Sequence, residues 1–489
     1  MDFLDPKKKR AHRIRLFIGY GLMAIALGIG TTILVYQARG FGVDRKTGEI
    51  IQNGLAFVEA HPVGADVYVN GELKGRTNIR LNLPSSTYKL ELRQPGYRNW
   101  TRQLDLQGGS VEQMVYPFLF PEKLVTKDIQ SLSALPGFAT TSLDRHWLLY
   151  QQATSLTDFR LVDLSTDDNI TTPVALPPAL LTPADGVHQL ELVEWSSDNR
   201  HVLVRHTFTG GIEFAIIDRQ TPEQSININK LFSHAFSQVV LRDKKPDVLY
   251  VYDQAGGVLQ SANTKNQVLT PVLKDVLAFK SHGDEVVEYV TPSGAPAGKV
   301  LARVLSDKNT YTIRELPLDT QYMLDVARFE GHWYMAVGAR ADKKTYIYRD
   351  IFDQVKSPGK VVAPASTLRT DGLQDYVSFS GNVRFVAVQA GAEFAVYDAE
   401  TKRSYRYDTK LPLEAKAHAM WMDGHRLTLV SGGKTIVMDY DGINRQTLTP
   451  ASPAFQAFFD RDYNAMFTLG PSAADATKSA VVRTELRVK

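Results

Sequence analysis

Residues 16–38 form a run of 23 residues without a charged side chain, LFIGYGLMAIALGIGTTILVYQA. At 1.5 Å per residue a helix of that length reaches about 34 Å, enough for a hydrocarbon core of about 30 Å. Inside lipid a single segment must satisfy its own backbone polar groups, so such a run is committed to helix. Tyr20 and Tyr36 lie near its two ends, where an amphipathic ring sits at the membrane interface. The flanks are unequal. KKKRAHRIR precedes the run, whereas Arg39, Arg45 and Lys46 after it are offset by Asp44 and Glu49. The positive-inside rule then keeps the N-terminus in the cytoplasm and carries the long C-terminal part across. A cleaved signal peptide is the competing reading. Its basic start fits and Ala38-Arg39-Gly40 has a small-x-small form, but the run exceeds an h-region of about 7–15 residues. A buried core helix conflicts with the length and the flanking charges. Ala24-xxx-Gly28 and Ala26-xxx-Gly30 have the spacing of small residues at helix pairs, which are common in spans anyway.

The net charge of +3 is set by the tail. Lys7, Lys8, Lys9, Arg10, Arg13 and Arg15 against Asp2 and Asp5 give residues 1–36 a net +4, which leaves about −1 for everything after. A basic balance confined to the tail argues for no nucleic-acid partner. The chain has no cysteine, which excludes disulfides, thiolate metal sites and a cysteine nucleophile. Its 21 tyrosines and 22 phenylalanines suit strands better than helices.

Residues 39–53 read as a spacer. From Gly54 short alternating runs begin: 55–60, then 66–69 followed by Asn70-Gly71, the dipeptide of a tight hairpin turn. Residues 88–93 alternate strictly, and 100–106 and 111–118 bring the expectation to about five strands. Several of these residues carry a family pattern: Pro62-x-Gly64-Ala65-x-Val67-Tyr68-Val69, Asn70-Gly71, Gly75-x-Thr77, Leu83-Pro84 and Pro95-Gly96-Tyr97. Residues 54–120 resemble a PEGA domain in this order of turn glycines and strand apolars. They depart from it at Thr77-Asn78, where Thr-Pro is usual, and at Ser85-Ser86, where a glycine is usual. The resemblance implies a small β-sandwich of the kind found on bacterial cell-surface proteins, and it brings no catalytic residues. Tyr97 and Trp100 can be read as a stacking platform for a sugar ring, or as core packing of a small domain.

From residue 121 to 489 a theme repeats: apolar strand, turn with Asp, Asn or Gly, second apolar strand, and often a third with Tyr or Phe. Units begin near Phe138, Leu190, Phe236, Val276, Met323, Tyr376, Ala417 and Phe455. Short strands at this spacing are the signature of a β-propeller. Eight units average about 46 residues and seven about 53, against a usual blade of about 40–50; eight blades are favoured and seven remain open, with tandem β-sandwiches as the other fold. The turn Trp195-Ser196-Ser197-Asp198-Asn199-Arg200 resembles that of Tol-type periplasmic propellers.

No H-E-x-x-H, G-x-S-x-G, P-loop or G-x-G-x-x-G occurs. Asp460-x-Asp462-x-Asn464 opens like a calcium loop, but its twelfth position is Pro471 rather than Glu. It reads as a polar turn, as does Asp439-Tyr440-Asp441-Gly442. His201 and His206, five apart in a strand, point to opposite faces. Asn99-Trp100-Thr101 and Asn169-Ile170-Thr171 are formal glycosylation sequons.

The expectation is a mainly β chain: a basic cytoplasmic tail (1–15), a transmembrane helix (16–38), a spacer (39–53), a PEGA-like β-sandwich (54–120) and a β-propeller (121–489). It acts by binding at the cell envelope, on an envelope protein or cell-wall glycan, with the bilayer held through residues 16–38. It is not an enzyme and needs no cofactor or metal. The alternatives are an envelope glycoside hydrolase or other hydrolase with its carboxylates in the propeller channel, and a subunit of an envelope complex.

Overall fold

A computed structural model describes residues 6–38, 41–43, 50–153, 155–183, 185–356, 362–414 and 417–488. Residues 1–5 of the tail, and 39–40 and 44–49 of the spacer with Arg39 and Gly40 of the small-x-small site, lie outside the described residues. The chain divides into two compact units, Met1–Lys123 with Arg487–Lys489, and Leu124–Leu486.

In the smaller unit a helix runs over Pro6–Ala38. Its stretch His12–Tyr36 is long and apolar enough to cross a membrane. Phe17, Leu22, Leu27 and Leu34 are between 62% and 81% exposed. An apolar stretch this exposed along its length suits lipid rather than water.

Among the described residues two four-stranded sheets follow. One orders Glu72–Arg76, Asp66–Val69, Ser86–Arg93 and Trp100–Leu106. The other is built on Ile50–Val58, which pairs with Phe41–Val43 and Ile79–Pro84 antiparallel and with Val111–Met114 parallel. The expected count of about five strands missed Glu72–Arg76 and Ile79–Pro84. The first has one apolar residue in five and is exposed along most of its length, so it carries no period-2 signal. The family pattern is explained by two contacts. Asn70 and Gly71 both take positive φ, 50° and 84°, as the tight hairpin requires. The buried Thr77 hydroxyl accepts the backbone N–H groups of Gly64 (3.0 Å) and Ala65 (3.1 Å), tying Gly75-x-Thr77 to the Pro62–Ala65 turn.

Among the described residues the larger unit contains eight four-stranded antiparallel sheets. Seven take four consecutive strands, beginning with Ala139–Thr141, Gln189–Trp195, Gln238–Leu241, Ala278–His282, Tyr322–Phe329, Tyr376–Phe379 and Met420–Trp421. Each of these starts within three residues of its expected position. The eighth sheet differs. Phe458–Phe459, Ala465–Pro471 and Ser479–Glu485 are completed by Val125–Leu132 from the other end of the unit.

Apolar faces pack sheet on neighbouring sheet. Leu149 and Phe159 of the first meet Val204 and Ile217 of the second; Val290 and Val304 of the fourth meet Val326 and Met335 of the fifth; Leu148 and Tyr150 of the first meet Phe467 and Leu469 of the eighth. Middle strands are buried on both faces, so Phe385–Ala390 and Arg426–Ser431 are buried throughout. That is why they read as continuous apolar runs rather than alternating ones.

The repeated polar turn links the first and second strands. Asp198 Oδ1 accepts the N–H groups of Arg200 (2.8 Å) and His201 (3.1 Å), and Asp423 Oδ1 those of His425 (2.7 Å) and Arg426 (2.8 Å). Arg145, Asn199 and Val383 take the left-handed position of this turn. Arg200 and Arg384 then reach the buried carboxylates that end the third strands, with Nε 2.8 Å from Asp218 Oδ1 and 3.0 Å from Asp398 Oδ1. The W-S-S-D-N-R pattern is therefore structural. Asp460 acts likewise, accepting Asn464 N–H at 2.8 Å, and the Gly442 N–H closes its own turn on the Asp439 carbonyl.

Candidate functional site

The first strand of each sheet faces the first strand of the next. Trp195 Nε1 donates to Thr140 Oγ1 (2.9 Å), Leu241 N–H donates to Glu194 Oε1 (2.6 Å), Phe379 N–H donates to Asp325 Oδ2 (3.0 Å) and Trp421 Nε1 donates to Ser378 Oγ (3.1 Å). Tyr463 Oη donates to the Met422 carbonyl (3.0 Å), and the Arg145 guanidinium lies 4.4 Å from the Tyr463 ring centre.

Two cavities open on these strands. One of about 840 Å³ is lined by the first strands of the second, third and fourth sheets. The other, of about 460 Å³, is lined from the first, seventh and eighth sheets, with Met420, Trp421 and Phe458 on its wall. Leu192 lines both. Leu192 and Met420 are 42% and 51% exposed, unusual for apolar residues in a unit whose other first-strand apolar groups are mostly covered.

Beside the larger cavity, which Glu194 and Lys280 line, lies a charged cluster drawn from four sheets. Lys280 sits mid-strand, directly opposite Glu288 on the neighbouring strand, with its Nζ 3.2 Å from Asp325 Oδ1 of the fifth sheet. Asp325 is fixed by Phe379 N–H and by Val326 N–H (3.1 Å). Glu194 approaches from the second sheet and Tyr376 from the sixth. Lys280 is half-exposed, but into a cavity walled by protein. Asp325 pushes its ammonium above the usual lysine range. Glu288 has no exposed surface, and neither carboxyl oxygen has a hydrogen-bond partner among the described residues. Burial, and then Asp325, push its carboxyl well above the ordinary range against the pull of Lys280, so it is held protonated. Burial also raises Glu194, countered by the Leu241 N–H, Lys244 and Lys280. Unpaired buried acids are rare, and perturbed groups beside a cavity mark functional sites more often than chance.

A second polar cluster lies within the second sheet. His206 is fully buried, with Nδ1 2.8 Å from Glu213 Oε1 and Nε2 2.9 Å from His188 Nδ1. Glu213 also accepts Thr182 N–H (2.6 Å), Thr182 Oγ1 (2.7 Å) and Asn227 Nδ2 (2.8 Å). Burial opposes ionisation, yet these donors together hold the carboxyl down at about 2. His201 turns instead to Asp198 and Asp218, so the two histidines do not converge. Among the described residues no group of three or more His, Asp or Glu is placed to hold a metal ion.

Tyr97 and Trp100 are 5% and 2% exposed. Tyr97 Oη accepts the Val488 N–H at 2.7 Å, and Trp100 meets Tyr116 edge-on at 6.0 Å. Both rings are packing elements here, and neither presents a face to a sugar. The sequence reading missed the cluster around Lys280. One signal was available: Glu288 is an acid inside the otherwise apolar strand Val286–Thr291.

Residues 54–117 match the PEGA domain family. No curated protein matches the chain. Among solved structures the chain is similar to the Dos1 propeller, at 11% identity over 75% of this chain and 96% of that one, with a TM-score of 0.44. It is also similar to the dihydro-heme d1 dehydrogenase NirN, at 14% identity over 83% and 76%, TM-score 0.43. A third is Hsv2p of Kluyveromyces lactis, at 11% identity over 66% and 100%, TM-score 0.41.

Proposed function

We propose that this protein is a membrane-anchored binding module of the bacterial cell envelope. The eight sheets are blades of one closed propeller, with Val125–Leu132 and Ser479–Glu485 as its closure. The helix holds the N-terminus in the cytoplasm, the PEGA domain acts as stalk or wall contact, and the propeller recognises an envelope protein or cell-wall glycan. The observation that carries this reading is the pair of cavities that meet at Leu192 on the first strands. In a propeller those strands surround the central channel, a common place for recognition. Crosslinking in intact envelopes followed by recovery of the chain tests it. A partner attached through the larger unit is expected. Recovery of the chain alone, under conditions that crosslink a known envelope complex, would sink it.

A second reading draws on the same charged cluster. Two acids of raised pKa, Glu194 and Glu288, beside a third carboxyl, Asp325, are the kind of set a hydrolase uses. If Glu194→Gln or Asp325→Asn abolished a glycosidase or peptidase activity of the purified chain, that reading would displace the first.

A further inference from the structure

We propose that a third cavity, between the first and eighth sheets, binds a sugar that carries a single carboxylate, and that the carboxylate sits on Arg160 and Tyr150. This rests on the reading of the larger unit as a binding module and names a ligand class for it.

The cavity measures about 400 Å³, within the range of small-ligand sites. One wall comes from Val125–Leu132, the strand that completes the eighth sheet. The other comes from Trp147–Gln151, Asp158–Asp163 and Thr171–Ala175 of the first sheet. Among the described residues Arg160 is the one charged side chain that lines it, and no carboxylate does. Asp158, on the same strand, is exposed and is not part of the wall. With the Gln152 amide turned so that its oxygen faces the guanidinium, that oxygen accepts from Arg160 Nη2 at 2.8 Å and from Nε. The remaining guanidinium donors have no partner among the described residues. A guanidinium is always charged, and its planar fork matches the two oxygens of a carboxylate.

Tyr150 stands directly opposite Arg160 on the neighbouring strand. It is 1% exposed, with its ring in the core beside Leu148 and Phe467, and it also lines the cavity. Its hydroxyl has no hydrogen-bond partner among the described residues. Leaving a buried hydroxyl unpaired is costly, and a ligand oxygen would remove that cost. Burial pushes the phenol up to about 12 against the pull of Arg160, so near neutrality it keeps the proton it would donate. One cation beside one neutral donor suits a carboxylate better than a phosphate, whose charge is nearly twice as large.

The rest of the wall suits a hydroxylated body. Gln130, Gln151, Ser131, Ser133 and Thr171 supply amides and hydroxyls that can each donate or accept. Leu132 and Pro136 add a small apolar patch for the C–H face of a ring. A bare anion would leave most of this volume unused, and an apolar acid would cover the polar groups without pairing them.

The test uses the full chain in lipid nanodiscs and saturation-transfer NMR with four probes: glucuronate, glucose, glucose 6-phosphate and acetate. Glucuronate is expected to bind, with glucose and acetate each weaker by about tenfold or more. Arg160→Gln and Tyr150→Phe should each weaken glucuronate by a similar factor. Because the Tyr150 hydroxyl holds nothing within the protein, Tyr150→Phe should melt at or above the parent temperature, which separates lost recognition from a lost fold. No glucuronate signal would overturn the inference, as would glucose or acetate binding as strongly, glucose 6-phosphate binding more tightly, or glucuronate binding indifferent to both substitutions. If glucuronate fails while envelope crosslinking still attaches a partner to the larger unit, this inference falls and the binding-module reading stands; if both experiments fail, both fall.

Discussion

Replacing Glu288 with leucine should stabilise the larger unit, and by an amount that grows with pH. In the folded protein the Glu288 carboxyl is protonated, fully buried and without a partner among the described residues. Its neighbours in the strand are valines and a tyrosine. An unsatisfied buried polar group costs about 1–3 kcal/mol, and leucine of similar volume removes that cost at any pH. The pH-dependent part follows from linkage. In the unfolded chain Glu288 ionises near 4.5, whereas the folded-state value is raised well above it. Between those two values the folded state binds the extra proton, so stability falls by about 1.4 kcal/mol for each pH unit gained. Leucine abolishes that slope. Relative to the parent, Glu288→Leu should therefore gain about 1–3 kcal/mol at pH 4.5, and the gain should grow as pH rises above that. Denaturant unfolding followed by tryptophan fluorescence reads it, since Trp147, Trp195, Trp333 and Trp421 all lie in the larger unit. A destabilised variant, or a difference that stays flat from pH 4.5 to 6.5, would refute the assignment of a neutral, unpaired Glu288.

Other outcomes follow from the same structure. Glu213, held ionised down to about 2 by His206, Thr182 and Asn227, contributes stability that is complete above pH 4.5 and lost as pH falls toward 2. Glu213→Gln should thus cost roughly 2–3 kcal/mol at pH 7 and progressively less below pH 4.5 in the same unfolding assay. Val383, a β-branched residue at φ 62°, occupies the turn position that Asn199 holds in the second sheet; Val383→Asn should raise stability by about 1 kcal/mol, read as a higher melting temperature. Ser131 and Ala480 are register partners across the shared eighth sheet. In this cysteine-free chain, Ser131→Cys with Ala480→Cys should form one disulfide under mild oxidation, seen as faster migration on a non-reducing gel. The loop it closes is long enough that a stabilisation of up to about 5 kcal/mol is expected from chain entropy.

How much of this was legible depends on how local each feature is. The helix is written in one uninterrupted run, and the structure extends it back through the basic flank to Pro6. The phase of the sheets was readable because their middle strands, such as Phe385–Ala390, are buried on both faces and separated by turns rich in Asp, Asn and Gly. The turn motif at Trp195–Arg200 was visible as a pattern, but its purpose was not: Arg200 reaches Asp218 on the third strand, a contact no spacing announces. The completion of the eighth sheet was hidden for the same reason. VTKDIQSL is a weakly alternating stretch, and its partner strand lies near the other end of the chain. The charged cluster is the least local feature. Glu194, Lys280, Asp325 and Tyr376 come from four different repeats, and only their first-strand positions bring them together. Tyr97 and Trp100 show the converse: aromatics that a sequence offers as a platform were needed inside a small domain.

We propose that one helix anchors the chain with its large β-rich unit outside the cytoplasm. Because no native cysteine interferes, single cysteines report this directly. Ser293 lies in an exposed turn of the larger unit, and His12 is exposed in the basic segment before the apolar run. Each would be replaced in turn by cysteine and treated, in intact cells with any outer barrier opened, with a maleimide that cannot cross the inner membrane. Ser293→Cys should label at once, and His12→Cys only after lysis, on a band that still carries the N-terminal segment. Labelling of His12→Cys before lysis, with Ser293→Cys protected, would contradict the account.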